Sequence, residues 1–275
     1  MSQAVVIICN ANKPDVQARM AKVVESIARH ADVLATGPVS DAAELVKAAP
    51  ARVIVLGGDG SILDVARNLG QHQIPIVGVN FGKLGYLAEF SFDDLAQHAP
   101  AILSDDRLIS RRIILQGTIS RDGAKPEQLQ AVNDLVVLAG PPFRMIELGL
   151  LVDGHHLTDV RGDGIVLATP SGSTAHNMSL GGPIIASEVN AIAVTPIAPH
   201  SLTHRPLVVS GESVIEVTAT ATNEGTTIVA DGQVPSPFRD GARLVVRRGA
   251  HDFLLVRNPA QTGWHTLTQK LKWGQ

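Results

Sequence analysis

Gly57-Gly58-Asp59-Gly60-Ser61 stands where the apolar run Val53-Ile54-Val55-Leu56 ends and a helical pattern from Ser61 to Leu69 begins. A glycine-rich strand-to-helix turn presents backbone N–H groups and the positive end of a helix dipole, which suits an anionic phosphate. A carboxylate at its centre repels that phosphate unless it binds Mg²⁺ beside it or takes a proton from a hydroxyl that attacks it. The loop therefore reads as a phosphoryl-transfer site with Asp59 as its catalytic candidate. The other reading is a plain strand-to-helix turn in which Asp59 caps the helix.

Two further segments carry chemistry. Asn133-Asp134 opens the apolar run Leu135-Val136-Val137-Leu138, so an amide and a carboxylate adjoin at an element boundary. Such a pair can exchange hydrogen bonds with the vicinal hydroxyls of a ribose, although the same two residues also form ordinary turns. The stretch from Arg161 to Ser179 joins a charged turn at Arg161-Gly162-Asp163-Gly164, a buried strand, the small polar string Thr169-Pro170-Ser171-Gly172-Ser173-Thr174, and a short helix ended by Gly181-Gly182-Pro183. An N-cap explains Ser173 or Thr174. It leaves the rest of the string without a purpose, and a second polar binding surface supplies one.

The elements that position these residues follow from periodicity. Up to about residue 80, short apolar runs (Ala4 to Cys9, Val33 to Ala35, Arg52 to Leu56, Ile74 to Val79) alternate with amphipathic stretches (Pro14 to His30, Asp41 to Ala48, Ser61 to Leu69). That βαβα rhythm predicts a doubly wound parallel sheet with its ligand site at the carboxyl ends of the strands, where Asp59 falls. Beyond it the strands alternate, with turns at Asp122-Gly123, Asp153-Gly154 and Asp240-Gly241, which predicts a mostly-β domain. The expected fold class is α/β plus β. An N-terminal α/β domain covers residues 1–104, a mostly-β domain covers 105–254, and a helical segment at 255–275 returns to the first.

The formal net charge of −3 gives no electrostatic reason to seek nucleic acid or anionic membrane, and 45% hydrophobic residues suit a globular chain with sizeable cores. Cys9 is the only cysteine and sits in an apolar run, so no disulfide framework exists within the chain. No basic region followed by a long apolar segment opens the sequence, and no stretch approaches a membrane span. A cytoplasmic protein is expected.

In order along the chain, Gly57 to Ser61, Asn133-Asp134, Asp163-Gly164 with Thr169 to Ala175, Gly181-Gly182-Pro183, Pro196 to Leu202 with Arg205-Pro206, and Asp231-Gly232-Gln233 resemble the motifs of the NAD kinase family. The resemblance spans nearly the whole chain. The first motif is shared with phosphofructokinases and lipid kinases, whereas the Thr169 to Ala175 segment is specific. The resemblance implies transfer of the γ-phosphoryl of ATP, with Mg²⁺, to the 2′-hydroxyl of the adenosine ribose of NAD. Asp59 would be the general base, and Gly57, Gly58, Gly60 and Ser61 the phosphate-donor loop. Gly60 and Phe81 would lie at the dinucleotide, and Asn133 and Asp134 would hold ribose hydroxyls. Arg144, Arg161, Asp163 and Ala198 would line the site. Thr174, Ala175, His176, Asn177, Met178 and Ser179 would border an adenosine, and Gln233 would reach the substrate. No residue is expected as a protein metal ligand. The family implies a homodimer or homotetramer formed through the β domains.

The chain departs from the family at His176, where tyrosine is common, at Tyr86 within Asn80 to Leu87, where phenylalanine is usual, and at Asp134, where glutamate is commoner. His176 introduces a possible pH dependence, either as a ring over a base or as a helix-surface side chain facing solvent. A phosphofructokinase-like kinase would need a separate threonine- and aspartate-rich motif, which the sequence lacks. A lipid kinase would need an apolar channel, against which the polar 161–179 cluster argues. A silent dinucleotide sensor would keep the binding residues and lose Asp59. His155-His156 reads as a hairpin with exposed imidazoles, Arg247-Arg248 as a solvated strand end, and Trp264 with Trp273 as packing of the tail.

Overall fold

The computed structural model describes residues 3–10, 14–82, 85–262 and 264–272. The first elements are β1 (Gln3–Cys9), α1 (Pro14–Ala28), β2 (Ala31–Pro38), α2 (Ala42–Leu45), β3 (Arg52–Leu56), α3 (Asp59–Leu69), β4 (Ile76–Val79), α4 (Phe92–Ser104) and β5 (Ile109–Arg112). There follow β6 (Leu115–Ser120), β7 (Glu127–Ala131), β8 (Asp134–Leu138), β9 (Ile146–Val152), β10 (His155–Gly162), β11 (Gly164–Ala168) and α5 (His176–Ser179). Then come β12 (Ala191–Ile197), β13 (Leu207–Ser210), β14 (Ile215–Ala221), β15 (Thr227–Ala230), β16 (Val234–Pro237), β17 (Arg243–Arg248), β18 (Phe253–Val256) and α6 (His265–Leu271). Two compact units result, Met1–Arg111 with Phe253–Gln275, and Arg112–Asp252.

The first unit holds a six-stranded sheet in the order β2-β1-β3-β4-β18-β5. Strands β2, β1, β3, β4 and β18 run parallel, with Ile54 beside Ile7 and Leu255 beside Ile76. Every residue of β3 is buried because helices cover both faces. Ile7, Ile54 and Val77 pack with Val23 and Ile27 of α1 and Leu95 and Ile102 of α4. On the other face Ile62 of α3 sits against Gly78 of β4. Each fully buried Ile or Leu contributes about 1.5–3 kcal/mol through removal of apolar surface from water. Gly78 also admits the backbone of Leu87 and Ala88, whose nearest atoms would lie 2.8 and 3.0 Å from a Cβ there.

Three local outcomes differ from the sequence pattern. Helix α3 starts at Asp59, two residues before the apolar periodicity, because Asp59 and Gly60 take helical conformation without adding to the apolar stripe. The expected helix over Asp41 to Ala48 is α2 alone, flanked by 3-10 turns at Val39–Asp41 and Val46–Ala48, with Ala49 at φ 53°. Pro50 disfavours helical geometry at the residue before it. Helix α4, which the alternation of apolar runs did not reveal, is announced by a capping box in which Ser91 and Asp94 bond each other's backbone.

The second unit is built from two antiparallel six-stranded sheets, β10-β9-β14-β17-β6-β7 and β13-β12-β11-β8-β15-β16. Their shared core includes Leu135, Val137, Ile165, Leu167, Ile192 and Val194. The alternate residues Val136, Val166, Ala168 and Ala193 face the opposite way and pack with Leu180 and Ile185. Strands β8, β11 and β12 are thus buried on both faces, which is why they read as continuous apolar runs. Asp153 (φ 51°) and Gly154 (φ 78°) form the turn from β9 to β10, and Gly123 and Gly241 also take positive φ.

The tail contributes β18 to the first sheet, and Asn258 donates from its backbone to Glu89 Oε2 at 2.9 Å. Trp264 is 63% exposed, so it does not pack as the sequence pattern predicts. Trp273, expected to pack with it, lies outside the described residues. Arg248 is not simply solvated, since it pairs with Asp252 and Glu212. Cys9 is a buried free thiol, its pKa raised by burial. No helix among the described residues is long and apolar enough to cross a membrane.

Candidate active site

Asp59 occupies the first turn of α3, directly after the carboxyl end of β3. The helix is capped by Gly58, in extended conformation and without a side-chain bond, so Asp59 is not the cap. Its carboxylate turns instead to a separate segment. Oδ2 accepts from Tyr86 N at 2.8 Å, and Oδ1 accepts from Leu87 N at 3.1 Å and Ala88 N at 3.0 Å. Hydrogen bonds to a charged group contribute about 1.5–3 kcal/mol each, so the rotamer is strongly held. Gly85 makes this possible, because a Cβ there would overlap Oδ1 and stand 2.5 Å from Asp59 Cγ. Three of about four carboxylate acceptor positions are filled, which leaves Oδ2 one lone pair for a proton. Burial first, and then the Asp59 charge, raise the pKa of Tyr86.

The rest of the loop divides into support and open surface. Gly57 donates its amide to Val79 O at 2.9 Å, and a Cβ on it would meet Ser61 Oγ at 2.5 Å. Ser61 is buried, and its hydroxyl accepts from Asn10 Nδ2 at 3.2 Å, so it ties the loop to the end of β1. Space beside Gly58 is open. Phe81 packs partly on the core under the exposed guanidinium of Arg19, 5.1 Å from its ring centre. No group of three or more metal-ligating side chains occurs among the described residues. A Mg²⁺ ion brought in on substrate phosphates would take its oxygens from those phosphates and water, since three amides already occupy the Asp59 carboxylate.

In the second unit Asn133 and Asp134 lie at the start of β8, against the 169–174 turn. Thr169 Oγ1 donates to Val132 O at 2.6 Å, and Thr169 N donates to Asn133 O at 2.8 Å. Gly172 approaches so closely that a Cβ would lie 2.7 Å from Asn133 Cα. Asp134 is 4% exposed, and burial first, then the charge of Asp231, raise its pKa to about 7. Asp231, which the sequence places in the Asp231-Gly232-Gln233 motif without assigning it a role, accepts hydrogen bonds from the amides of Val132, Asn133 and Asp134. Its signal is the Asp231-Gly232 dipeptide, a left-handed turn between β15 and β16. Gln233 is exposed on that hairpin.

The 173–183 stretch separates into scaffold and surface. Asn177 is fully buried, with Nδ2 donating to Ser173 O (3.1 Å) and Pro183 O (3.0 Å) and Oδ1 accepting from Thr195 Oγ1 (2.7 Å). Ser173 is also fully buried and bonds Pro170 and Ile185. The expected polar binding surface therefore excludes these two side chains, which hold the turn together. His176 and Ser179 are exposed, and Thr174, Ala175 and Met178 are half-buried. Gly162 lets β10 approach Ile197 and Ala198, which brings Arg161 and Asp163 close to Ala198. Arg161 is exposed and bonds Glu147 at 2.7 Å. Ala198 is exposed at φ 43°, a strained conformation for a residue with a Cβ. Arg144 lies on the exposed 141–145 loop, its carbonyl accepting from Asn223 Nδ2 at 2.5 Å.

Residues 38–107 match the family model of the ATP-NAD kinase N-terminal domain, and residues 132–258 match that of the ATP-NAD kinase C-terminal domain. The NAD kinase of Rhodopirellula baltica is 43% identical over 221 residues, covering 80% of this chain and 71% of that protein. The NAD kinase of Trichlorobacter lovleyi is 38% identical over 253 residues, covering 90% and 86%. A crystal structure of an NAD kinase from Archaeoglobus fulgidus in complex with ATP superimposes with a TM-score of 0.79 at 25% identity, covering 98% of both chains. The yeast NADH kinase complexed with NADH shares the fold, with a TM-score of 0.86 at 24% identity over 100% of this chain and 88% of that one. The chain belongs to the NAD kinase family of phosphotransferases.

Proposed function

We propose that the chain phosphorylates the 2′-hydroxyl of the adenosine ribose of NAD with the γ-phosphoryl of ATP, and that Asp59 is the general base. The proton of the hydroxyl passes to Asp59 Oδ2 as the new O–P bond forms, the bond from the γ-phosphorus to its bridging oxygen breaks, and ADP leaves. The carrying observation is a carboxylate fixed by three backbone amides at the start of α3, inside a glycine turn suited to phosphate. Mg²⁺, when bound with ATP, neutralises charge on the phosphates. Gly58 and Gly60 face the donor phosphates, with Gly57 and Ser61 shaping the turn from below.

Asn133 and Asp134 serve the ribose. A carboxyl with a pKa of about 7 both donates and accepts hydrogen bonds near neutrality, which suits hydroxyl partners. Phe81, Arg144, Arg161, Asp163, Ala198 and Gln233 contribute to the dinucleotide, and the turn from Thr174 to Ser179 borders an adenosine through its backbone and the exposed His176. The first unit is the nucleotide-binding domain and the second the NAD-binding domain. The strongly exposed Leu202 (86%) and Leu157 (50%) support association of copies through the second unit as a homodimer or homotetramer. The enzyme works in the cytoplasm.

The test is a coupled assay of NADP formation with ATP or inorganic polyphosphate as donor and NAD or NADH as acceptor. ATP-dependent NADP formation is expected, and its absence from folded protein overturns the reading.

A further inference from the structure

We propose that Asp231 is a positioning residue for the Asn133–Asp134 pair, clasping residues 132–134 in the conformation from which both side chains serve the ribose. This role rests on the ribose reading proposed above. The Asp231 carboxylate accepts from Asn133 N at 2.7 Å and Asp134 N at 3.3 Å through Oδ1, and from Val132 N at 3.1 Å through Oδ2. Its own amide donates to Asp134 O at 2.9 Å, so the clasp runs both ways. The geometry needs the left-handed turn of Asp231 (φ 51°) and Gly232 (φ 68°), with Gln233 N donating to Ala230 O at 3.0 Å.

A hairpin alone does not call for this residue. Asparagine or glycine closes such a turn without a charge, whereas Asp231 is 8% exposed and places its carboxylate beside the buried Asp134. Two neighbouring buried carboxyls repel each other, and the three amide bonds to Asp231 hold the clasp in place against that repulsion. Among the described residues Asp231 is the charged group acting on Asp134. The surrounding Asn133 and Thr169 are neutral. The clasp thus sets both where Asp134 stands and how readily it holds a proton.

Asp231→Asn in the full chain keeps the shape, removes the charge and replaces one acceptor by a donor. The apparent KM for NAD is expected to rise roughly ten- to a hundredfold, as for loss of a charge-assisted hydrogen bond, with the KM for ATP within about threefold. The inflection of kcat/KM for NAD against pH should also move to lower pH, because removing a neighbouring negative charge lowers the pKa of Asp134. Equal rises in both KM values with an unmoved inflection would overturn the proposal in favour of a purely structural role. Asp134→Asn separates the two layers of inference. If it leaves the KM for NAD unchanged, the ribose reading itself fails. If it raises that KM and Asp231→Asn does not, only the positioning role fails. Should Asp231→Asn not fold, Asp231→Glu carries the test: a raised KM for NAD with the inflection kept supports the clasp, and an unchanged KM overturns it.

Discussion

Gly85→Ala tests whether the cradle around Asp59 matters to turnover. The new methyl would overlap Asp59 Oδ1 and lie 2.5 Å from Cγ and 2.9 Å from Oδ2, distances that no relaxation of the methyl itself can relieve. Either the carboxylate leaves its rotamer or the 85–88 backbone moves away. Both outcomes break at least two of the three amide bonds that hold Asp59, each worth about 1.5–3 kcal/mol before water replaces them. After solvent compensation the expected loss of stability is about 1–3 kcal/mol, the usual range for an overpacked site. The expected loss of kcat is larger in effect, roughly 10²–10⁴, since a displaced base loses its whole contribution. The assay is steady-state NADP formation for Gly85→Ala, Asp59→Asn and the double variant. If Gly85 acts through Asp59, the double variant is no slower than Asp59→Asn alone. A folded Gly85→Ala enzyme with near-native kcat, or losses that simply add, refutes the reasoning.

Three further outcomes are expected. Asp134 holds its proton to about pH 7 in the folded chain but not in the unfolded one, so its contribution to stability is present at low pH and lost as pH rises through about 7. The loss runs from about pH 4 to about pH 7 and, at ~1.36 kcal/mol per pH unit, amounts to about 4 kcal/mol, so Asp134→Asn should gain in Tm relative to the native chain between pH 4 and pH 7; a constant difference in Tm refutes it. Asn177→Ala leaves the Thr195 hydroxyl and the carbonyls of Ser173 and Pro183 without their partner, so thermal denaturation should show a loss of about 2–5 kcal/mol while the KM for NAD of the folded fraction stays within about threefold. A large rise in KM with unchanged Tm would make Asn177 a binding residue after all. His176 is exposed on the 176–179 turn, and a larger aromatic face there should hold an adenosine more firmly, so His176→Tyr should keep or lower the KM for NAD while His176→Ala raises it; equal KM values in all three proteins retire the contact.

What the sequence revealed and what it hid divide along a physical line. Asp59 was legible because a charge inside a glycine turn violates local electrostatic expectation. The parallel sheet was legible because a strand-length run that is apolar at every position must be covered on both faces. The partners of Asp59 were not legible. They are backbone amides of residues 86–88, whose availability depends on Gly78 admitting that segment to β4 and Gly85 lacking a Cβ. Asp231 was legible only as part of the Asp231-Gly232-Gln233 motif and without a role of its own, because its bonds reach 97 to 99 positions back along the chain. Asn177 and Ser173 looked like ligand groups because small polar residues in a glycine-rich string carry no mark that distinguishes inward from outward side chains. Only the position of Ile185, Pro183 and Thr195 around them decides it.

Strand β18 carries a consequence for biosynthesis. It lies between β4 and β5 in the first sheet, yet it is made after the whole of the second unit, with Val79 and Phe253 bracketing the interval. At about 5–20 residues per second the ribosome leaves the β4 margin of that sheet without its neighbour for roughly 9–35 s. During that time the nascent chain presents a ladder of backbone groups open to strands of other chains. The second unit, whose strands β6 to β17 are contiguous, can close its sheets in the meantime. A nonsense mutation anywhere in the second unit therefore damages the first unit as well, although it removes none of the residues around Asp59.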